Sequence, residues 1–209
     1  MTQWQFTQQI AATFEDHAVK HIPNYRSVIE KSVDICRRYP KHARIIDVGS
    51  ATGYTLTQLE TAGFTNLVGV DSSQSMLDHN QATGAELICS AQFPVEQAPF
   101  DVIIINWTLH FMSNKIDYLQ SVYNALSPGG ALILSDKTSL DEYAIEHYHQ
   151  FKKSQGVSQH EIDTKAQSLV GVMFVDNIDW YMNTLKSVGF KKIHVFDAHW
   201  CFTSFVCFK

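Results

Sequence analysis

The sequence predicts an α/β fold: a doubly wound, mostly parallel sheet of seven strands that closes with a C-terminal antiparallel hairpin. Three observations predict it. Apolar, β-branched runs recur between residues 44 and 134 with helix-length spacers between them, the pattern of strands buried on both faces of a parallel sheet. The turn signal Leu126-Ser127-Pro128-Gly129-Gly130 feeds a further apolar run. Near the C terminus two strand-like segments flank the short Asp197-Ala198-His199-Trp200, and strands joined that closely run antiparallel.

Each element has its own justification. Residues 1–40 read as a helical cap, with Asn24 placed after Pro23 to cap a helix in which Tyr25, Val28, Ile29, Val33 and Ile35 recur at helical spacing. Arg37-Arg38 and Pro40 end it. Strands are expected at 45–48, 67–70, 102–105 and 131–134, with a weaker one at 86–89. Residues 139–187 form a helical insertion rich in Tyr, His and Gln, longer than a simple crossover requires. Gly189 ends a helix, and 192–196 and 202–208 supply the hairpin. Residues 1–209 are read as a single domain.

Composition excludes several classes. The 209 residues carry 16 Lys+Arg against 21 Asp+Glu, a net charge of -5, with 45% hydrophobic and 18% charged residues. Those values belong to globular chains and not to disordered or collagen-like ones. No run reaches the roughly 18 apolar residues of a membrane span, and the polar start Met1-Thr2-Gln3-Trp4-Gln5 is no signal peptide, so a cytoplasmic protein is expected, with no membrane partner. The basic clusters Cys36-Arg37-Arg38, Phe151-Lys152-Lys153 and Phe190-Lys191-Lys192 are short, which argues against direct nucleic-acid binding. Cys36, Cys89, Cys201 and Cys207 lack zinc spacing and read as reduced core thiols. His17 and His21 are four apart on a helix, as two metal ligands are, but no third ligand or H-E-x-x-H glutamate accompanies them, so no metal is expected.

The informative segment is Asp47-Val48-Gly49-Ser50-Ala51-Thr52-Gly53, between the first strand and the next helix. Small residues let a ligand approach the backbone, and helix-terminal N–H groups favour a negatively charged group. Asp71, at the end of the second strand, is placed to accept both hydroxyls of a ribose. The loop departs from the dinucleotide pattern G-x-G-x-x-G, and Asp47 would repel a diphosphate while suiting an ammonium group. That combination favours S-adenosylmethionine over NAD.

These residues resemble the class I S-adenosylmethionine-dependent methyltransferases, whose Rossmann-like sheet the resemblance therefore implies. Asp71-Ser72-Ser73-Gln74-Ser75-Met76-Leu77 is similar to their second motif, and Leu126-Ser127-Pro128-Gly129-Gly130 to the turn before their fifth strand. Phe14-Glu15-Asp16-His17, His21-Ile22-Pro23-Asn24-Tyr25, Asn106-Trp107-Thr108-Leu109-His110-Phe111 and Leu134-Ser135-Asp136-Lys137 narrow the resemblance to the carboxy-S-adenosylmethionine synthases of tRNA wobble-uridine modification. Those enzymes act as dimers on S-adenosylmethionine and prephenate, which implies a homodimer here. The resemblance puts Tyr25 and the backbone carbonyl of Asn106 at the cofactor's methionine end. It puts Gly49, Ser50 and Ala51 along the cofactor's backbone-facing side, Asp71 at the ribose, and Ala91 and Gln92 near the adenine, with Gly53, Ser72 and Met76 as further cofactor-binding candidates. The family's acidic adenine ligand falls on Ala91, leaving Ser90 or Gln92 to substitute. Its Lys-Arg pair, whose arginine holds the extra carboxylate across the dimer, is here Lys165-Ala166.

Because that arginine is absent, the sequence ranks first a methyltransferase that acts on an unidentified small molecule and releases S-adenosylhomocysteine. Carboxy-S-adenosylmethionine synthesis stands second, on the cost of leaving the carboxylate unpaired. A non-catalytic S-adenosylmethionine-binding dimer stands third. An aromatic wall of Tyr25, Trp107, His110, Tyr143, Tyr148 and Trp200 is expected near the methyl group, with Trp107, His110, Lys165 and Trp200 as substrate-side candidates. The sequence assigns no catalytic residue.

Overall fold

A computed structural model describes residues 7–139 and 141–209. The reading of Met1-Thr2-Gln3-Trp4-Gln5 lies outside the described residues. Three helices, α1 (Gln8–Ala11), α2 (Phe14–His21) and α3 (Tyr25–Cys36), precede β1 (Arg44–Val48). Strand and helix then alternate through α4 (Tyr54–Thr61), β2 (Asn66–Asp71), α5 (Gln74–Leu77), β3 (Glu86–Cys89), β4 (Phe100–Asn106), α6 (Lys115–Ala125) and β5 (Leu126–Lys137). The helices α7 (Glu142–Ser154), α8 (Gln159–Ser168) and α9 (Ile178–Ser187) form the insertion, and β6 (Lys192–His199) and β7 (Phe202–Phe208) end the chain.

The strands make one sheet in the order β3-β2-β1-β4-β5-β7-β6. Only β7 is reversed, lying antiparallel to both β5 and β6. All seven strand segments expected from the sequence are present. From β1 the chain builds outward through β2 and β3, then returns to the other side of β1 to lay down β4 and β5. That reversal leaves a crevice beyond the carboxyl ends of β1 and β4, where sheets of this kind bind ligands.

Side-chain alternation explains the winding. Ile46, Val48, Ile103, Ile105, Leu132 and Leu134 face one layer with Leu119 and Val122 of α6 and Tyr181 and Leu185 of α9. Their neighbours Ile45, Val102, Ile104 and Ile133 face the other, with Val33 and Cys36 of α3 and Leu56 and Leu59 of α4. Both faces are covered, so the strands read as unbroken apolar runs.

Three expectations are corrected. Asn24 stands at the start of α3 but in the left-handed conformation, φ 59°, and makes no capping bond. A capping side chain needs an extended backbone to turn toward the helix N–H groups; this one donates instead to Asp197 at 3.3 Å. The turn at 127–130 falls inside β5 and not ahead of it. Pairing with β4 jumps from Phe100 opposite Leu126 to Val102 opposite Ala131, so four residues bulge from the ladder, with Gly129 at φ +78°. Cys89 is exposed, while Cys36, Cys201 and Cys207 are buried; it ends the short edge strand β3, most of which faces solvent. Among the described residues no helix is long and apolar enough to cross a membrane.

Replacing Leu132, fully buried on β5, by alanine should cost about 2 to 5 kcal/mol in denaturant unfolding. A loss below about 1 kcal/mol would contradict two-sided burial of this strand.

Candidate active site

The crevice holds a cavity of about 340 Å³, lined from the ends of β1, β2, β4 and β5 and roofed by α2, α3, α7 and α8. Its floor is the loop after β1. Gly49 takes φ +73°, and a Cβ there would come 2.0 Å from Thr108 Oγ1, the hydroxyl that donates to the carbonyls of Val48 and Asn106. Ala51 is left-handed without being glycine, φ 46°. Two side chains hold it there: its N–H donates to Asp71 Oδ2 at 3.0 Å, and its carbonyl accepts from Asn80 Nδ2 at 3.2 Å.

Four of the loop's N–H groups are consumed internally. Gly49 and Ser50 both donate to the Val70 carbonyl, Ala51 to Asp71, and Gly53 to the Ser50 carbonyl. A dinucleotide loop must offer such groups to a pyrophosphate. In this loop those four are spent, and the polar groups that face the cavity are side chains.

Those side chains are partly unsatisfied. Among the described residues, Ser50 Oγ, both polar atoms of the Asn106 amide and Glu15 Oε2 are buried with no hydrogen-bond partner, and all three residues line the cavity. Buried polar groups normally find partners, so these mark where a polar ligand sits. Asp47 is 2% exposed and makes no ion pair among the described residues; burial, then the Asp71 charge, pushes its carboxyl up to about 7 against a Thr55 hydrogen bond that lowers it. A ligand ammonium would relieve that cost. Asp71 is also raised by burial, but accepts backbone N–H bonds from Ser73 (2.8 Å) and Ala51.

The expected residues sort as follows. Tyr25, Asp47, Gly49, Ser50, Ala51, Asp71, Ser72, Met76, Ala91, Asn106, Trp107, His110 and Lys165 all line the cavity. Gly53 and Gln92 do not: Gly53 closes the loop at the start of α4, φ +84°, where a Cβ would strike Asn80. The Ser90 hydroxyl is spent on the backbone of Gln92, so the adenine end is apolar and backbone-lined. The Asn106 carbonyl accepts from Thr108 with one of its two lone pairs, and its buried side-chain amide adds two unpartnered polar atoms beside it.

At the far end, Tyr25, Trp107 and Tyr148 form a wall, with Tyr25 and Trp107 ring centroids 5.0 Å apart. Tyr143 and Trp200 are not part of it. They sit outside the cavity, 67% and 41% exposed, where Trp200 stacks on His147 at the hairpin turn. The reason lies in α7, which carries both tyrosines. Five positions along a helix is a rotation of about 140°, so when Tyr148 faces the crevice Tyr143 faces away, and there its ring meets Trp200.

Sequence reasoning overlooked Glu15, His17 and Lys137. Tyr25 donates to Glu15 Oε1 at 3.1 Å, and Lys165 Nζ contacts His17 Nε2. Lys137 ends β5 and shares the Tyr148 ring with Lys152, their ammonium groups 5.0 and 4.2 Å from its centroid. The signal available was position: Lys137 is the last residue of a strand whose carboxyl end borders the crevice. Burial and the neighbouring lysines push Lys165 down to about 7 and Lys152 to about 8. His17 and His21, stacked at 4.0 Å, fall to about 3 and 4 through burial and Lys165, and stay neutral.

Residues 19–196 match a family described as "Methyltransferase domain". The chain belongs to this family. It is 34% identical to the carboxy-S-adenosyl-L-methionine synthase of Helicobacter hepaticus, over 92% of this chain and 89% of that one. It is 33% identical to the enzyme of the same name from Trichodesmium erythraeum, over 98% and 88%. Among solved structures, the plantazolicin methyltransferase BpumL, with S-adenosylhomocysteine bound, superposes with a TM-score of 0.71 over 96% of this chain and 89% of that one at 15% identity. A possible histamine N-methyltransferase from Thermotoga maritima gives 0.70 over 97% of each chain at 16% identity. The protein is thus an S-adenosylmethionine-dependent transferase with the Rossmann-like methyltransferase fold.

The cavity fits that cofactor on its own terms. Asp47 and the Asn106 amide would hold its amino-acid end, Asp71 its ribose, and Met76 and Ala91 its adenine; the cofactor supplies a methyl group activated by its sulfonium. Asp71→Ala should weaken S-adenosylmethionine at least tenfold in calorimetry, from loss of a charge-assisted contact worth about 1.5 to 3 kcal/mol. Unchanged affinity would refute the ribose assignment. Asp47 must be ionised to pair an ammonium, and its pKa is raised, so binding releases a proton below about pH 7. Affinity should therefore fall up to about tenfold per unit as pH drops below that value; a flat profile between about pH 5.5 and about pH 8 would overturn the pairing.

Proposed function

We propose that this transferase makes carboxy-S-adenosylmethionine from S-adenosylmethionine and prephenate, as a cytoplasmic enzyme of small molecules. The observation that carries this reading is the set of lysines at the methyl end of the cavity. Lys137 and Lys165 line it, and Lys152 lies behind Tyr148. Their lowered pKa values measure the cost of crowding ammonium groups away from water.

A carboxylate bound among them would relieve that cost; a neutral methyl acceptor would not. Ala166 removes the arginine of the family pattern, yet the charge it supplied is available here from lysines of the same chain, with α8 placing Lys165 over its own cavity. The names of the full-length relatives support the same reading. Methyl transfer to a small acceptor, ranked first on the missing arginine, loses the reason for that rank.

The test is mass spectrometry of ligand released from the purified protein and of mixtures with S-adenosylmethionine and prephenate. Carboxy-S-adenosylmethionine is expected in both, with roughly a tenfold or greater loss in Lys137→Met and Lys165→Met proteins that still bind S-adenosylmethionine. S-adenosylhomocysteine formed with a small-molecule acceptor, and no carboxylated product, would restore methyl transfer. No product in any mixture would leave a binding protein.

A further inference from the structure

We infer that His110 is a proton-transfer residue at the methyl end of the cavity, held in its accepting tautomer by Asp136 and Tyr181. Asp136, near the end of β5, is fully buried. Its Oδ1 accepts from His110 Nδ1 and from the Lys137 N–H at 2.9 Å, and its Oδ2 accepts from Tyr181 Oη at 2.6 Å. His110 lines the cavity, whereas Asp136 and Tyr181 do not. The ring therefore stands between a buried carboxylate and the ligand space. With Nδ1 donating to Asp136, Nε2 is left as the acceptor.

The ring is also fixed from behind. The His110 carbonyl accepts from the Phe174 N–H at 2.6 Å, and Lys115 Nζ binds both the Phe174 carbonyl and Asp176, tying the segment between α8 and α9 to this turn. The two other cavity-lining histidines differ. His17 Nε2 meets Lys165, His21 Nδ1 meets the His17 carbonyl, and His110 is the one histidine paired with a carboxylate among the described residues. Tyr181 lies among apolar side chains of α6 and β7, where a buried acid and its donors are costly to take out of water. Base, orienting carboxylate and a third group behind them form the arrangement by which enzymes aim an imidazole.

The role rests on the proposed carboxyl transfer, whose balance contains one proton to move. The methyl carbon loses a proton and gains a carboxylate carbon. The donor, a 4-hydroxycyclohexadiene carboxylate, loses that carboxylate and its hydroxide as its ring becomes aromatic. His110 Nε2 takes the proton reversibly, and the electron pair of the broken C–H bond then forms the new C–C bond. The electron pair of the donor's broken C–C bond enters the ring and expels hydroxide. The imidazolium, stabilised by Asp136, then returns its proton to that hydroxide as water.

Two measurements test this. In 15N NMR of the ligand-free protein, His110 should be an Nδ1–H tautomer, and Asp136→Asn should shift it toward Nε2–H; an Nε2–H tautomer in the unmodified protein would overturn the assignment. In D2O, deuterium should enter the methyl group of added S-adenosylmethionine, with or without prephenate, roughly tenfold or more faster than in the free cofactor. His110→Gln should abolish the excess while S-adenosylmethionine affinity stays within about twofold. Exchange that is absent, or equal in the variant, would refute proton transfer by His110. Should His110→Gln not fold, Asp136→Asn takes its place in the exchange assay, with the same two outcomes. Histidine-dependent exchange without any carboxylated product would count against the proposed reaction alone.

Discussion

Charge held out of water is the constraint around which this cavity is arranged. Asp47 lies near the end of β1 and Lys137 at the end of β5, with β4 between them, and Lys165 enters from α8; all three line the cavity. In a compact fold such opposite charges would ordinarily pair with each other or stay in water. Here the sheet keeps them apart: Asp47 belongs to β1, Lys137 to the end of β5, and Lys165 to a helix of the insertion. The separation matches a ligand with an ammonium at one end and a companion bearing carboxylates at the other.

Asp71 is partly buried as well, and its carboxylate organises the floor by accepting N–H bonds from both Ala51 and Ser73. The first of these helps hold Ala51 left-handed, and the N–H groups of Gly49, Ser50 and Gly53 close on Val70 and Ser50. The consequence is chemical selectivity. A loop that has spent the N–H groups of Gly49, Ser50, Ala51 and Gly53 on itself has few to give a pyrophosphate, and carboxylates and amides face the ligand instead.

Much of the fold was legible because the relevant signals are local. Unbroken apolar runs such as 102–105 announce strands covered on both faces, and Gly189 announces the end of α9. Asn24 and Cys89 were misread for reasons that are not local. A capping role depends on a backbone dihedral angle, and the burial of a thiol depends on whether its strand lies at the edge or the centre of the sheet. Trp200 and Tyr143 show the same limit, since aromatic character does not tell which side of α7 a ring occupies.

What the sequence determined by itself was the order of elements and the cofactor class, because Asp47, Gly49 and Asp71 lie in segments whose geometry is set within a few residues of each. The tertiary structure decided the other half of the cavity. Lys137, Lys152 and Lys165 come from β5, α7 and α8, and no spacing along the chain reports that they meet. The same holds for His110, Asp136 and Tyr181, which come from the turn after β4, from β5 and from α9. Their convergence is produced by burial of the sheet's two faces, a long-range effect, and the proposed second, anionic substrate rests on it.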